Sequence, residues 1–342
     1  MNKQVRTVYV SKEQRQLNAE FMELYEPVTY QGTLLPNRGE SKKQKRLTVE
    51  CRFCKKKKGK TTFRQDTHLI SNLLGQNNFF SIDECDQCNQ FFKRAENDLA
   101  AYLGISRTIN HLRTDVKAPG FQSAKGGVKV KSLGNDFLWV QNTNPNSGEF
   151  HVDMQNGKAN ISLESQKYKP ESIYRALLKM ALGNLPAGAV PDYELGFRFL
   201  MEMDDITGFD HLKRVTVTET DLVLARPFGL LFEKKANVDN PKLPQHIFCL
   251  YCIDQIFQVN LPGFKRLLPE DDFNAAPIVP YAQFDINNPI DDIVRSYYTA
   301  IFSSKESITN NLGLSMIFPT ENLVGIPLGI DINEWLNNLS KR

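Results

Sequence analysis

Two Cys-x-x-Cys pairs dominate the chemistry that this sequence offers. The first pair is Cys51 and Cys54, the second is Cys85 and Cys88, and 30 residues separate them. Each pair presents two thiolates to one ion, and two such pairs complete the tetrahedral sulfur shell that Zn²⁺ favours. The separation exceeds the usual zinc-ribbon spacing, so there is room for further structure between the pairs. The sequence therefore predicts a structural zinc site built from these four cysteines.

Two polar residues close in sequence to these cysteines are of types that occur in hydrolytic sites. His68 lies between the cysteine pairs, and Asn89 directly follows the second pair. A helix is predicted from Asn89 to about Leu103, because its apolar residues recur at helical spacing on one face. We expect that helix and the polypeptide between the pairs to position the two side chains.

Positive charge is concentrated around the first cysteine pair. Residues 42–64 contain eleven Lys or Arg and one acid, a local charge of +10, whereas the whole chain carries +3 and the remainder therefore −7. Such a cluster binds polyanions, because each phosphate contact releases counterions. A solvated lysine loop is the alternative interpretation. The candidate nucleic-acid-binding residues are Lys55, Lys56, Lys57, Lys58, Lys60 and Arg64.

Several short motifs accompany the cysteines. They are the sequences Thr-His-Leu-Ile at 67–70, Leu-Gly at 74–75, Asp-Glu-Cys-Asp-Gln-Cys-Asn at 83–89 and Ala-Glu-Asn-Asp-Leu at 95–99. With the first cysteine pair, this stretch resembles the zinc-supported HNH endonucleases, which are ββα-metal nucleases. The resemblance covers about 50 residues, 51–103, and neither flank. It implies a small zinc-stabilised ββα-metal (HNH) fold and hydrolysis of phosphodiester bonds.

The resemblance also implies roles for individual residues. A histidine on the hairpin activates water in this family, and the matching residue is His68, whose neutral imidazole titrates near working pH. One divalent cation, Mg²⁺ or Mn²⁺, neutralises the phosphate and stabilises the leaving 3′-oxygen. Asn89 occupies the position of a ligand to that cation, and its amide oxygen suits a hard ion.

The sequence departs from the family at Thr67, since a carboxylate ligand usually precedes the histidine. Glu96 lies seven residues after Asn89, two turns along almost the same helix face. We therefore expect Glu96 to supply the missing carboxylate, with Asp66 as the alternative. A solvated helix charge is the other interpretation of Glu96.

One residue of the family pattern has no unique counterpart here. The family uses an asparagine that braces the hairpin near the histidine. Asn77 and Asn78 lie at a plausible distance from His68, whereas Phe80 is nearer to the expected position. The sequence leaves this assignment open.

Hydrophobic patterns predict an α+β fold class, with a larger mixed α+β domain after the zinc module. A short strand and a capped helix from Ser11 come first. Further strands are predicted at 137–141, 150–154, 159–163, 215–217, 222–225, 230–232 and 247–259, and further helices at 170–182, 193–203, 290–302 and 332–339. The Cys-x-x-Cys at 249–252 lies in an apolar run, so we interpret it as a buried strand with two inert thiols.

Composition limits the classes of protein to which the chain belongs. The N-terminus has no apolar run, and no stretch reaches the length of a membrane span. Six cysteines without a leader indicate reduced thiols and a cytoplasmic protein. The predicted division is an N-terminal segment and linker at 1–45, the zinc-bound module at 46–113, and an α+β domain at 114–342 for regulation, dimerisation or target sensing. A homodimer would form through this last domain.

Two functions follow from these features. The first is a metal-dependent HNH endonuclease that cleaves DNA, with an association to bacterial defence against foreign DNA; an RNA-cutting toxin would use the same chemistry. The second is a non-catalytic zinc module that binds nucleic acid within a larger assembly. Thr67, in place of a carboxylate, keeps the second function open.

Overall fold

A computed structural model describes most of the chain. The described residues are 6–7, 11–28, 47–114, 118–134, 137–153, 155–202, 212–261 and 294–317. They form both helices and antiparallel sheets, which confirms the predicted α+β class. The helix predicted at 332–339 and much of the predicted linker lie outside the described residues. Within the described part, no helix is long and apolar enough to cross a membrane.

The described part has five α-helices. They are α1 (Ser11–Leu24), α2 (Asp86–Leu103), α3 (Ser106–Ile109), α4 (Pro170–Gly183) and α5 (Glu194–Leu200). Short 3₁₀ helices lie at Asn72–Leu74, Pro145–Ser147 and Ala187–Tyr193. Helix α2 buries the predicted face, which consists of Phe92, Ala95, Leu99 and Leu103.

The largest sheet has five strands in the described residues. Its strands are β1 (Arg6–Thr7), β2 (Tyr25–Pro27), β8 (Arg214–Lys234), β9 (His246–Leu261) and β10 (Val294–Ile301). Strand β8 pairs with β9 along most of its length, and β10 and β2 pair with its two ends. In the described part of the N-terminal segment, β1 and β2 therefore belong to this sheet, and Phe21 and Tyr25 pack against Phe232.

Two further sheets have three strands each. One contains β3 (Gly120–Gln122), β4 (Val128–Gly134) and β5 (Phe137–Asn142); the other contains β6 (Phe150–Asp153), β7 (Lys158–Glu164) and β11 (Asn311–Ile317). Their apolar faces share one cluster that includes Phe121, Val130, Ile161 and Leu163. The predicted strands near 137 and 159 are confirmed.

One predicted helix is wrong. The described part of 290–302 forms strand β10, whose side chains alternate between buried and exposed over Val294–Ile301. Alternation with a period of two fits a strand that covers a core on one face only. The three short strands predicted between 215 and 232 are parts of the single strand β8, whose pairing with β9 shifts between Glu219 and Phe228.

Helix α4 lies at the centre of the main core. It packs against α2 on one side and against β9 on another, and its residues from Ile173 to Leu182 are almost all buried. The same core contains Cys51, Cys85 and Cys88 together with residues of β8, β9 and β10. Apolar packing is thus continuous from the cysteine pairs to the large sheet, across the boundary predicted near residue 114.

Candidate metal centre and adjoining hairpin

The four cysteines converge on one point. Their sulfurs all lie within 4.8 Å of one another. The sulfurs of Cys51 and Cys88 are 3.7 Å apart, as are those of Cys54 and Cys85. A tetrahedron with zinc–sulfur bonds of about 2.3 Å has sulfurs about 3.8 Å apart, so the cluster has the size of a zinc site. The donors are soft thiolates, which favours zinc over Mg²⁺ or Ca²⁺.

The backbone holds each pair in a tight turn. The amide of Lys55 donates to the carbonyl of Cys51 at 3.0 Å, and Lys55 itself has φ of 57°, which reverses the polypeptide after the first pair. Cys85 is the N-cap of α2, and its sulfur accepts from the amide of Cys88 at 3.4 Å. The amide of Cys85 donates to the sulfur of Cys51 at 3.4 Å. These amides stabilise negative charge on sulfur.

Four thiols at this separation do not all ionise unaided. The hydrogen bond with Cys88 lowers the pKa of Cys51 to about 5, and the same bond raises the pKa of Cys88 well above its usual range. Burial raises the pKa of Cys54 to about 11. A divalent cation would compensate the charge of four thiolates, because metal binding releases the thiol protons.

His68 lies on a short antiparallel ladder between the two cysteine pairs. It is paired with Phe80, and the flanking bonds run from the amide of Leu69 to the carbonyl of Phe79 and from the amide of Ser81 to the carbonyl of Thr67. The imidazole is half-buried, and its centroid is 4.6 Å from that of the Phe80 ring. The chain then leads through Glu84 into α2, which begins at Asp86 between the two cysteines of the second pair.

Asn77 fixes the imidazole of His68. Its side-chain nitrogen donates to the carbonyls of Ile70 at 3.1 Å and Gly75 at 3.0 Å, so its Oδ1 must face the other way. That oxygen accepts from the amide of Phe79 and lies 3.3 Å from Nδ1 of His68. Because Oδ1 can only accept, a neutral His68 carries its proton on Nδ1 and leaves Nε2 as the basic nitrogen. The structure thus favours Asn77 over Asn78 as the bracing residue.

This bracing predicts a difference between two adjacent asparagines. Asn77→Ala leaves buried carbonyls without a donor and is expected to cost about 1–3 kcal/mol of unfolding free energy. Asn78 is exposed, and Asn78→Ala is expected to stay within about 0.5 kcal/mol of the parent. Urea denaturation of both zinc-loaded variants measures this difference. Equal stabilities would contradict the bracing role of Asn77.

Asn89 lies on the first turn of α2, and its side chain faces the segment that precedes His68. Its side-chain nitrogen donates to Oε1 of Gln65 at 2.8 Å, three residues before the histidine. Asp86 anchors the same segment, since its carboxylate accepts from the amides of Arg64 and Gln65. These bonds orient the amide oxygen of Asn89 away from Gln65, because the side-chain nitrogen faces that residue.

The proposed carboxylate, Glu96, has two protein partners. Its Oε2 accepts from the hydroxyl of Ser71 at 2.8 Å, and its Oε1 lies 3.3 Å from Nζ of Lys179. A cation would therefore compete with these partners for Glu96. Asp66, the alternative, is half-buried, and Thr67 is buried within the core. Apart from the cysteine cluster, the described residues contain no group of three Cys, His, Asp or Glu side chains close enough to share an ion.

The basic residues form an exposed loop and groove beside the metal centre. Lys55, Lys56, Lys57, Lys58, Lys60 and Arg64 are all exposed. Gly59, with φ of 100°, turns the loop, and a cavity of about 560 Å³ is lined by Lys58, Lys60 and Arg64 together with Gln87 near the start of α2. The described lining contains no acidic residue. The groove is therefore suited to an anion.

The other Cys-x-x-Cys sequence is a pair of buried thiols. Cys249 and Cys252 are fully buried in β9 and belong to different core clusters, with Cys249 on the α1 side and Cys252 on the α4 side. Burial raises the pKa of both thiols well above the usual range. The prediction of a buried strand that contains both cysteines is confirmed.

Comparison with known proteins adds no family to this geometry. No family model, no curated protein and no solved structure matches the chain.

Proposed function

We propose that the chain is a metal-dependent endonuclease of the HNH type, acting on DNA. The observation that carries this proposal is the hydrogen bond between Nδ1 of His68 and Oδ1 of Asn77, which favours the tautomer with Nε2 as the basic nitrogen, in the segment between the two pairs of clustered cysteines. The exposed lysine loop beside the site supplies contacts for phosphate.

The chemistry proposed for His68 is proton removal from water. As water attacks phosphorus, its proton passes to Nε2, a P–O bond forms, and the bond to the leaving 3′-oxygen breaks. Asn77 keeps Nδ1 protonated and shares the positive charge that develops on the ring. Asn89 is the proposed ligand of Mg²⁺ or Mn²⁺, and the cation, when bound, neutralises the scissile phosphate.

Glu96 is the proposed carboxylate ligand of the same cation. Its oxygens already have Ser71 and Lys179 as partners, so substrate oxygens and water would complete most of the cation's ligand shell. Mg²⁺ commonly keeps several waters and binds substrate phosphate in this way. The zinc module that binds nucleic acid without cleaving it is the second candidate function, and the engagement of Glu96 by these two partners favours it.

Incubation of supercoiled plasmid with zinc-loaded protein tests the proposed function. With Mg²⁺ or Mn²⁺ we expect nicked and then linear DNA, and without a divalent cation we expect none. Zinc-loaded His68→Ala protein should leave the plasmid supercoiled. Binding without cleavage under either cation would overturn the nuclease and favour the binding module, whereas cleavage of RNA alone would identify the substrate as RNA.

The lysine loop predicts how nucleic-acid binding depends on salt. Lys56, Lys57 and Lys58, changed together to Gln, should weaken binding to all sequences and reduce the slope of log affinity against log salt by about one unit for each lysine that binds phosphate in the parent. Three exposed lysines elsewhere provide a control with the same change in charge: Lys158, Lys167 and Lys242.

Filter binding between about 50 and 200 mM salt measures both slopes, because affinities that depend on phosphate change strongly over this range. The loop variant should have the shallower slope and the control variant the slope of the parent protein. Equal slopes for the two variants would show that the loop does not bind phosphate.

A further inference from the structure

A fully buried lysine contacts the residue proposed as the base. Lys179 lies on α4, has no exposed side-chain area, and is surrounded along the helix by buried apolar residues. An ammonium group removed from water costs several kcal/mol unless its hydrogen bonds and charge are compensated. The sequence gives no local signal for this lysine, because its partners lie 83 to 111 residues away.

Three acceptors surround the ammonium group. Nζ of Lys179 donates to the carbonyl of His68 at 3.1 Å and lies 3.2 Å from Oε2 of Glu84 and 3.3 Å from Oε1 of Glu96. Glu84 directly precedes the zinc ligand Cys85, and Glu96 lies on α2. One side chain therefore joins the hairpin, the metal centre and the helix.

The carbonyl of His68 depends on this partner because of the ladder geometry. The flanking hydrogen bonds leave His68 and Phe80 as a pair that exchanges no hydrogen bonds, so the backbone polar groups of His68 point away from the partner strand. The carbonyl therefore needs a hydrogen-bond donor from outside the hairpin. Lys179 supplies it from α4.

The two carboxylates keep the lysine charged. Burial alone would lower the pKa of Lys179, but attraction to Glu84 and Glu96 outweighs it and the pKa is raised. A charged donor makes a stronger hydrogen bond to the carbonyl than a neutral donor would.

We propose that Lys179 is a positioning residue, which fixes the backbone of His68 and thereby couples α4 to the hairpin. Its effect on catalysis rests on the proposed function, but its effect on the orientation of His68 does not. Asn77 holds the imidazole ring at Nδ1, and Lys179 holds the peptide group of the same residue. If either of these two hydrogen bonds is lost, the imidazole ring of His68 can move away from the position at which it would contact a substrate.

The test removes the ammonium together with one compensating charge. Lys179→Met combined with Glu84→Gln avoids leaving both carboxylates without a cation. The control is a second buried pair, Lys213 and Glu171, whose charged atoms are 2.9 Å apart at the first turn of α4, changed to Lys213→Met and Glu171→Gln. Both proteins are purified with zinc, and zinc content and cooperative unfolding are measured first.

We expect the Lys179 variant to keep its zinc and its affinity for nucleic acid, while kcat falls about 10- to 100-fold, since small displacements of a catalytic group have effects of this size. The imidazole resonances of His68 in NMR spectra should shift in this variant and not in the Lys213 control. Unchanged His68 resonances in folded, zinc-loaded Lys179 variant would overturn the proposal.

Two further outcomes are also decisive. If the parent protein cleaves no nucleic acid, the proposed function fails, and the NMR comparison still decides whether Lys179 positions His68. If the double variant does not fold, Lys179→Arg replaces it, because the planar guanidinium retains the charge but moves the donors. His68 resonances that then match those of the parent would refute the positioning role.

Discussion

Removal of the metal ion is expected to unfold the segment around residues 47–103 and to abolish every activity of the protein. Cys51, Cys85 and Cys88 are buried in the main core, so the empty site would leave polar thiols and a cavity where the ion had compensated charge. Apparent binding free energies of structural zinc are on the order of 10 kcal/mol, comparable with the total stability of a domain. Cys88→Ala should therefore behave like the chelated protein.

A matched control separates loss of the metal from loss of a core side chain. Cys252 is as buried as Cys88 but lies in β9, far from the cluster in sequence. Cys252→Ala should keep its zinc and lose on the order of 1 kcal/mol of unfolding free energy. Elemental analysis and urea unfolding of both variants provide the measurement. A soluble Cys88→Ala protein that unfolds cooperatively without zinc would refute the structural role of the ion.

Replacement of His68 by Ala is expected to lower the cleavage rate by a factor of about 10² to 10⁴, the usual contribution of a general base. Binding of nucleic acid should change little, because the proposed phosphate contacts are made by the exposed lysines and not by His68. The variant should therefore show a lower kcat with a similar KM. Its fold should survive, since Asn77 retains three of its hydrogen bonds, to Ile70, Gly75 and Phe79.

His151 provides the control for this substitution. It is an exposed histidine on β6, away from the hairpin in the described structure, and His151→Ala should cleave at the parental rate. Single-turnover measurements of the formation of nicked and linear DNA separate the chemical step from binding in the parent protein and in both variants. If His68→Ala and His151→Ala cleave equally fast, His68 is not the base.

The cysteine spacing and the periodicity of α2 were sufficient to predict the metal cluster and the helix beside it. Both signals are local: a Cys-x-x-Cys turn sets two thiols within a few residues, and Phe92, Ala95, Leu99 and Leu103 repeat at helical spacing. The strands predicted at 150–154 and 159–163 correspond to β6 and β7, which pair antiparallel. The proposed roles of His68 and Asn89 stay predictions.

The features that the sequence did not predict depend on contacts between residues that are distant in the chain. Residues 118–134 contain β3 and β4, although no strand was predicted there, and Gly126 and Gly127 lie in the turn between these two strands. The apolar residues of strand β10 also fit a helical face, and only their burial reveals the period of two. The role of Lys179 was not predictable, because an isolated lysine in an apolar helix carries no sign of partners at positions 68, 84 and 96.

Close packing of α4 and β8 against the hairpin limits how the segment that carries His68 can be moved to another protein. A Cβ placed on Gly183 would lie 2.5 Å from Cδ1 of Leu69, and one placed on Gly229 would lie 3.1 Å from Cδ1 of Ile70. Leu69 and Ile70 are the two residues that follow His68 in the chain. A fragment of residues 46–113 would expose these side chains to water and lose the ammonium that holds the His68 peptide. Engineers who graft the zinc segment onto another scaffold would therefore need to carry α4 and part of β8 with it.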